Sequence, residues 1–140
     1  MGILIEKPCF MNYLTGFENL KFLAEIKNIV SNDKIKEYMQ IFGLDPNSKK
    51  TMKKYSLGMK QKIGIIQAIM EDQQILILDE AFNALDEATV VILRQLLLEY
   101  KDNGKLVILT SHNKEDIDTV CDCTYQLLDG RISCQDSTAT

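Results

Sequence analysis

The sequence predicts an α/β fold in which a partial, mainly parallel sheet follows an all-α half. From residue 75 onward, short apolar runs alternate with helical stretches, an order typical of parallel β-α-β units. Residues 15–70 carry apolar side chains at helical spacing instead. With 140 residues, 46% of them hydrophobic, the chain can bury the core of about one domain. We expect an α-helical part over residues 1–70, an α/β part over residues 71–134 and a flexible tail over residues 135–140.

The all-α half begins after a short apolar stretch at residues 3–5 that resembles a strand. Thr15 and Glu18 have the spacing of a capping box, in which each side chain accepts a hydrogen bond from the other residue's backbone. A first helix is therefore predicted to begin at Thr15, with an apolar face that extends to Val30.

Two further helices complete this half. Apolar side chains from Asp33 to Phe42 share one face, and Gly43 is placed to close that helix. The third helix is predicted to begin after Ser56, in "YSLGMKQKIGIIQ". A small hydroxyl residue, a nearby glycine and then lysines indicate a helix N-terminus that faces an anion.

The α/β half begins with "ILILD" at residues 75–79, a continuous apolar run typical of a parallel strand covered on both faces. A tight turn at Asp129 and Gly130 then predicts a hairpin with "RISC". Between them we expect a helix, a buried strand, a short acidic helix and a third strand, at residues 86–100, 105–110, 113–120 and 123–128.

Composition excludes some classes of function. A net charge of −4 weighs against nucleic acid as the main partner, because phosphate backbones are met by basic surfaces. The four cysteines lack C-x-x-C spacing, which favours free thiols over a zinc site or a disulfide. Glu6 and Lys7 interrupt the first apolar run, so no signal peptide is predicted, and no stretch has the length of a membrane span. Any membrane role is expected to depend on a partner.

Three candidate chemical groups follow the predicted strands. Asp79 and Glu80 stand at the carboxyl end of the first strand, the edge where open α/β sheets bind ligands, and His112 follows the second. Such a pair of carboxylates can hold Mg²⁺ through water and orient an attacking water, as nucleotide hydrolysis requires. Taken singly, the two acids also fit a solvated loop, and the histidine fits a surface or capping residue.

Taken together, these residues resemble the ATP-binding-cassette (ABC) ATPases that power membrane transporters. "YSLGMKQK" is similar to the signature motif, "ILILDE" to the Walker B strand, "NALD" to the D-loop and "TSHN" to the H-switch. "GILIEKPCFMNYLTGFENL" resembles the Q-loop region of exporters of antibiotic peptides and lantibiotics. The resemblance covers nearly the whole chain and implies part of a P-loop ATPase core with an α-helical signature subdomain.

The resemblance also implies a role for each motif. Ser56 and Gly58 would contact the γ-phosphate of an ATP held by an opposite subunit, and Asp86 would lie at that dimer interface. Asp79 would hold the Mg²⁺ shell, and Glu80 would act as general base or position the attacking water. His112 would hold the γ-phosphate and stabilise the transition state.

The implied cofactors are ATP and Mg²⁺. The implied partners are a second cassette subunit, in a homodimer or a heterodimer, and transmembrane permease subunits. The chain would lie in the cytoplasm, peripheral to the inner face of the cell membrane, and would reach the membrane only through the permease.

Three residues depart from the family pattern. Glu6 stands where most members have the Q-loop glutamine, which puts the usual metal and water contact in doubt. Leu57 replaces the first glycine of the commonest signature, and Ala81 replaces a proline that often follows the catalytic glutamate.

No G-x-x-x-x-G-K-S/T motif occurs in the sequence, and its only Gly-Lys pair, Gly104 and Lys105, enters a strand. We therefore expect the Walker A loop to precede residue 1, and we expect the isolated chain to be inactive. One alternative is a non-enzymatic helper that lends its signature motif to a complete cassette. Another is a different P-loop ATPase, which the distance from "YSLGMKQK" to "ILILDE" disfavours.

The resemblance places the Walker A strand between residues 105–110 and 123–128. Without it, two apolar strands would have unpaired edges. We expect these edges either to pair between copies of the chain or to become direct neighbours in a rearranged sheet.

Overall fold

The computed structural model describes residues 1–135, which form five β-strands and five α-helices. In chain order the elements are β1 (Gly2–Leu4), α1 (Gly16–Lys27), α2 (Asn32–Ile41), a 3₁₀ turn (Met52–Lys54), α3 (Leu57–Ile69), β2 (Ile75–Asp79), α4 (Glu87–Asp102), β3 (Leu106–Thr110), α5 (Lys114–Val120), β4 (Thr124–Leu128) and β5 (Arg131–Gln135).

The predicted capping box at the start of α1 is confirmed. The Glu18 backbone N–H donates to Thr15 Oγ1 at 3.2 Å, and the Thr15 N–H donates to Glu18 Oε2 at 2.8 Å. The helix ends at Lys27 because Asn28 adopts a left-handed conformation with a φ of 52°. The prediction that Val30 lies on this helix is therefore wrong.

The three predicted helices of the all-α half are confirmed, and both ends of α2 lie one residue earlier than predicted. The α2 helix begins one residue early because Ser31 caps it, and Gly43, with a φ of 70°, follows its end. The α1, α2 and α3 helices pack against one another around side chains that are almost fully buried: Leu20, Ile35, Met39, Phe42, Ile63 and Ile66.

A parallel sheet with strand order β1-β2-β3 forms the second layer. Leu4 pairs with Leu78, and Asp79 pairs with Thr110, so all three strands end at one edge. The α3 helix packs on β1 and α4 packs on β3, which buries Leu4, Leu76 and Leu78 on one face. Parallel pairing is thus confirmed for the two strands that carry the candidate site.

The other face of this sheet is open within the described residues. Four apolar residues on this face are between 38% and 53% exposed: Ile3, Ile75, Leu106 and Ile108. Ile77, which lies between them in the middle strand, is half-buried. The prediction that strand 75–79 is covered on both faces is therefore wrong for residues 1–135. Parallel sheets normally carry helices on both faces, so the described residues leave one apolar face of this sheet without packed helices.

The β4 strand was expected to lie parallel in the same layer, and this is wrong. Within residues 1–135 it pairs only with β5, antiparallel, in the hairpin that Asp129 and Gly130 predict. The β3 and β4 strands are not neighbours, which excludes the rearranged sheet; pairing between copies stays a prediction. Gln135 ends β5, and the rest of the predicted tail, residues 136–140, is outside the described residues.

None of the helices within residues 1–135 has both the length and the apolar character to cross a bilayer.

Candidate functional site

The carboxyl edge of the parallel sheet brings three of the candidate residues together. Asp79 ends β2, Glu80 follows it, and His112 follows β3 by one intervening residue. The His112 Nε2 atom lies 3.1 Å from Glu80 Oε1. The His112 side chain is 95% exposed whereas that of Glu80 is 12% exposed, so the carboxylate is held in the protein and the imidazole projects from it.

Thr110, at the end of β3, connects the two acidic residues. Its Oγ1 donates to Asp79 Oδ1 at 2.7 Å and accepts a hydrogen bond from the Glu80 backbone N–H at 3.0 Å. The pairing of Asp79 with Thr110 in the sheet makes this contact possible. One hydroxyl group therefore fixes both the Asp79 carboxylate and the Glu80 backbone.

The acidic pair fits a Mg²⁺ ion that keeps part of its water shell. Among the described residues, no group of three or more His, Cys, Asp or Glu side chains could hold a metal by itself. Mg²⁺ in phosphoryl-transfer sites is bound by one or two carboxylates together with waters and substrate phosphates. Asp79 and Glu80 offer such carboxylates at an open edge, so the donor set fits a metal that arrives with a nucleotide.

Ser56 and Gly58 lie at the N-terminus of α3. Ser56 is the N-cap, and its Oγ accepts a hydrogen bond from the Met59 N–H at 3.1 Å. A Cβ atom on Gly58 would lie 2.5 Å from the carbonyl oxygen of Ala84. The absence of a side chain at Gly58 thus allows the start of α3 to contact the loop between β2 and α4.

Asp86 caps α4 and joins it to α3. Its carboxylate accepts from the Thr89 N–H at 2.9 Å and forms an ion pair with Lys62 Nζ at 2.8 Å. The Lys62 hydrogen bond, followed by the Thr89 bonds, holds the pKa of Asp86 well below its usual value. Asp86 therefore connects the N-terminus of α4 to α3 through Lys62.

Gln61, on α3, connects this helix to the acidic edge. Its side chain is buried, and Nε2 donates at 3.1 Å both to the Glu80 carbonyl oxygen and to the Ala81 carbonyl oxygen. The helix that begins at Ser56 is therefore hydrogen-bonded to the residue that follows β2.

Glu6 follows β1, at the same edge of the sheet as Asp79. Its side chain is exposed, and it makes no hydrogen bond or ion pair with any other residue of the described chain. The structure therefore does not bring Glu6 into contact with Glu80 or His112.

Sequence reasoning missed Gln61, Lys62 and Thr110 as contributors to the site. Two signals were present. Gln61 is a polar residue among the apolar positions of α3, and Thr110 ends an apolar strand at the same level as Asp79. Both contacts depend on how elements pack, which spacing along the chain does not reveal.

Comparison with known proteins places these observations in a family. The ABC transporter family profile matches residues 1–83, more than half of the chain. The ABC transporter ATP-binding protein YybJ of Bacillus subtilis is 40% identical over 132 residues, which cover 94% of this chain and 61% of that protein. The bacitracin transport ATP-binding protein BcrA of Enterococcus faecalis is 35% identical over 133 residues, or 94% of this chain and 43% of that protein.

A solved structure of an ATP-binding subunit of an ABC transporter superposes with a TM-score of 0.85 at 25% identity, over 97% of this chain and 58% of that one. The chain therefore spans about half of the length of the relatives it matches. The predicted fold class, a partial P-loop ATPase core with an α-helical signature subdomain, is confirmed. This chain belongs to the ATP-binding subunits of the ABC transporter family.

Proposed function

We propose that this chain supplies the hydrolytic and signature parts of an ATP-hydrolysing ABC subunit that drives export from a bacterium. The observation that supports this most directly is the largely buried Glu80 side chain, whose carboxylate lies 3.1 Å from His112. Glu80 directly follows Asp79 at an open sheet edge. A carboxylate held in this way can accept a proton from a water or orient it for attack.

Each residue of the edge has a proposed role. Glu80 acts as general base, and His112, on the exposed side, contacts the γ-phosphate. Asp79 holds the Mg²⁺ shell while Thr110 fixes one of its oxygens. Bound Mg²⁺ supplies neutralisation of the charge that develops on the phosphate oxygens.

The α3 end is proposed to serve a second subunit. Ser56 is exposed and caps the helix, so the positive end of α3 faces outward, where the phosphate of a partner's ATP can bind. Gly58 lies beside it, and Asp86 is proposed to face the same dimer interface. Glu6 occupies the Q-loop position, and its exposed side chain is proposed to complete the nucleotide site there.

The chain alone is proposed to bind ATP weakly. No G-x-x-x-x-G-K-S/T sequence occurs in its 140 residues, and the backbone N–H groups of such a loop cradle the phosphates in P-loop ATPases. Hydrolysis therefore requires a polypeptide segment that carries this loop.

Export of an antimicrobial peptide or drug is the proposed transport activity, supported by the similarity to BcrA, a bacitracin transport protein. The chain would act in the cytoplasm, bound to transmembrane permease subunits at the inner face of the cell membrane, with no nucleic acid partner.

A chimera tests the hydrolytic role, with this chain replacing the matching 132 residues of YybJ. We expect Mg²⁺-dependent ATP hydrolysis by the chimera and none above background by the isolated chain. In the chimera, Glu80→Gln should lower turnover by about 10²- to 10⁴-fold, the usual contribution of a general base, while ATP binding is retained. Glu99→Gln, at an exposed position on α4, is the matched control and should leave turnover unchanged.

Unchanged turnover in Glu80→Gln, or loss of ATP binding, would show that the role given to Glu80 is wrong. The helper alternative predicts a different result. There, the isolated chain would raise the turnover of a complete cassette, and Glu80→Gln in this chain would have no effect on it.

A further inference from the structure

The backbone of Glu80 has an unusual conformation. Its φ is 51°, in the left-handed region that non-glycine residues rarely adopt. A residue held there raises the energy of the fold unless its surroundings stabilise it, and such residues concentrate at functional sites. The contacts that hold Glu80 in this conformation therefore bear on where its carboxylate is placed.

Contacts from two other elements hold both backbone polar groups of Glu80. Its N–H donates to Thr110 Oγ1 of β3 at 3.0 Å, and its carbonyl oxygen accepts from Gln61 Nε2 of α3 at 3.1 Å. The Asn83 N–H also donates to that carbonyl, within the turn itself. Of the backbone hydrogen bonds of Glu80 within the described residues, those to Thr110 and Gln61 are the ones that connect it to other elements of the fold.

The Gln61 side chain can hold the turn in place because it is buried and both of its hydrogen bonds are made to carbonyl groups of that turn. It is 5% exposed, and its Nε2 group also donates to the Ala81 carbonyl at 3.1 Å. Ala81 is 1% exposed, so without Gln61 its carbonyl would lack a partner from outside the turn. A buried carbonyl that loses its donor is costly, so the turn would rearrange.

Thr110 makes a matching pair of contacts on the other side. Its hydroxyl proton is committed to Asp79 Oδ1 at 2.7 Å, which leaves the oxygen lone pairs free to accept from the Glu80 N–H. The positions of Asp79 and Glu80 are therefore set relative to each other by one side chain.

We infer that Gln61 and Thr110 are positioning residues that hold the Glu80 carboxylate in its working orientation. This inference rests on the proposed hydrolytic role of Glu80.

Kinetics of the YybJ chimera test the positioning role. Gln61→Met keeps the side-chain length and removes both donors, and Thr110→Val keeps the shape and removes the hydroxyl. Each should lower kcat by about 10- to 100-fold, as expected when a reacting group is displaced by about 1 Å, with the KM for ATP little changed. Thr110→Ser restores the hydroxyl and should recover most of kcat. Gln67→Met, on the same helix and away from Glu80, is the control.

A purely structural role would lower the melting temperature of these variants without lowering kcat per folded molecule. If Glu80→Gln lowers kcat whereas Gln61→Met and Thr110→Val do not, the positioning role is wrong and the proposed function stands. If Glu80→Gln also leaves kcat unchanged, the proposed function fails.

Hydrogen exchange on the 140-residue chain tests the geometry without any activity. The Glu80 amide should exchange about tenfold faster or more in Thr110→Val, which removes the acceptor of its N–H, the loss of about one hydrogen bond. It should also exchange faster in Gln61→Met, because the turn loses the donor of its Glu80 and Ala81 carbonyl groups and opens more often. It should be unchanged in Gln67→Met. Equal exchange rates in the Gln61→Met variant and the unmodified chain would overturn the inference.

Discussion

Replacing Arg94 by methionine is expected to destabilise the fold more than any change to a surface ion pair. Arg94, on α4, binds two consecutive carboxylates at the start of α5. Its Nη2 and Nε donate to Asp116 Oδ1 at 2.6 and 3.0 Å, and its Nη1 donates to Glu115 Oε1 at 3.0 Å. The Asp116 side chain is 3% exposed, whereas that of Glu115 is 73% exposed.

This difference in burial determines how much stability each substitution is expected to remove. Removing one member of a buried ion pair costs about 3–5 kcal/mol, because the other charge is left without a partner. Ser111 Oγ, at 3.4 Å from Asp116 Oδ2, would remain as a weak contact. We therefore expect Arg94→Met to cost about 3 kcal/mol, the lower end of that range. Glu115→Gln should cost under about 1 kcal/mol, as exposed pairs do.

Urea unfolding followed by circular dichroism measures both costs. In thermal unfolding of a chain of this length, a loss of about 3 kcal/mol corresponds to a fall in Tm of about 10 °C. The double variant Arg94→Met/Asp116→Met removes the unpaired charge as well. It should be more stable than Arg94→Met alone by about 2 kcal/mol, because apolar replacement of a whole buried pair is often neutral.

Two results would refute this reasoning. One is an Arg94→Met cost no larger than that of Glu115→Gln, which would mean that Asp116 is effectively hydrated. The other is a double variant less stable than Arg94→Met, which would mean that the Asp116 carboxylate has other strong partners.

Two further predictions concern the contact between α3 and the loop before α4. Gly58→Ala should cost about 1–3 kcal/mol in urea unfolding, because its Cβ would lie 2.5 Å from the Ala84 carbonyl oxygen; an unchanged stability would contradict this. Asp86→Asn should lower stability equally at all pH values above 3.8, the usual pKa of an aspartate, and progressively less as the pH falls toward the lowered pKa of Asp86. Unfolding at pH 7, 5 and 3 measures this; a loss that grows toward pH 3 would contradict it.

The parts of the fold that depend on neighbouring residues could be predicted from the sequence. The capping box, a motif of four residues from Thr15 to Glu18, determines where α1 begins. An apolar run of five residues marks β2. The meeting of Asp79, Glu80 and His112 also followed, since adjacent parallel strands end at the same edge. Local periodicity and one topological rule were sufficient for these.

Other parts depend on pairing and packing. The run at residues 123–128 is apolar enough for a buried parallel strand, yet β4 pairs with the segment that follows it after a two-residue turn. Nothing in the strand itself selects its partner. The end of α1 was misplaced because Asn28 adopts a left-handed conformation that asparagine permits but does not require. The contacts of Gln61 and Arg94 span from 19 to 22 residues along the chain, so only the folded structure reveals them.

The left-handed conformation of Glu80 has an evolutionary consequence. For an L-residue other than glycine, this conformation costs roughly 1–2 kcal/mol, and glycine would relieve it. A glycine would also remove the carboxylate. Selection for thermal stability alone would therefore favour loss of the glutamate, whereas selection for turnover would retain it at the expense of stability. Variants of this chain evolved only for heat resistance are thus expected to lose the acidic side chain at position 80, and with it the chemistry proposed for the sheet edge.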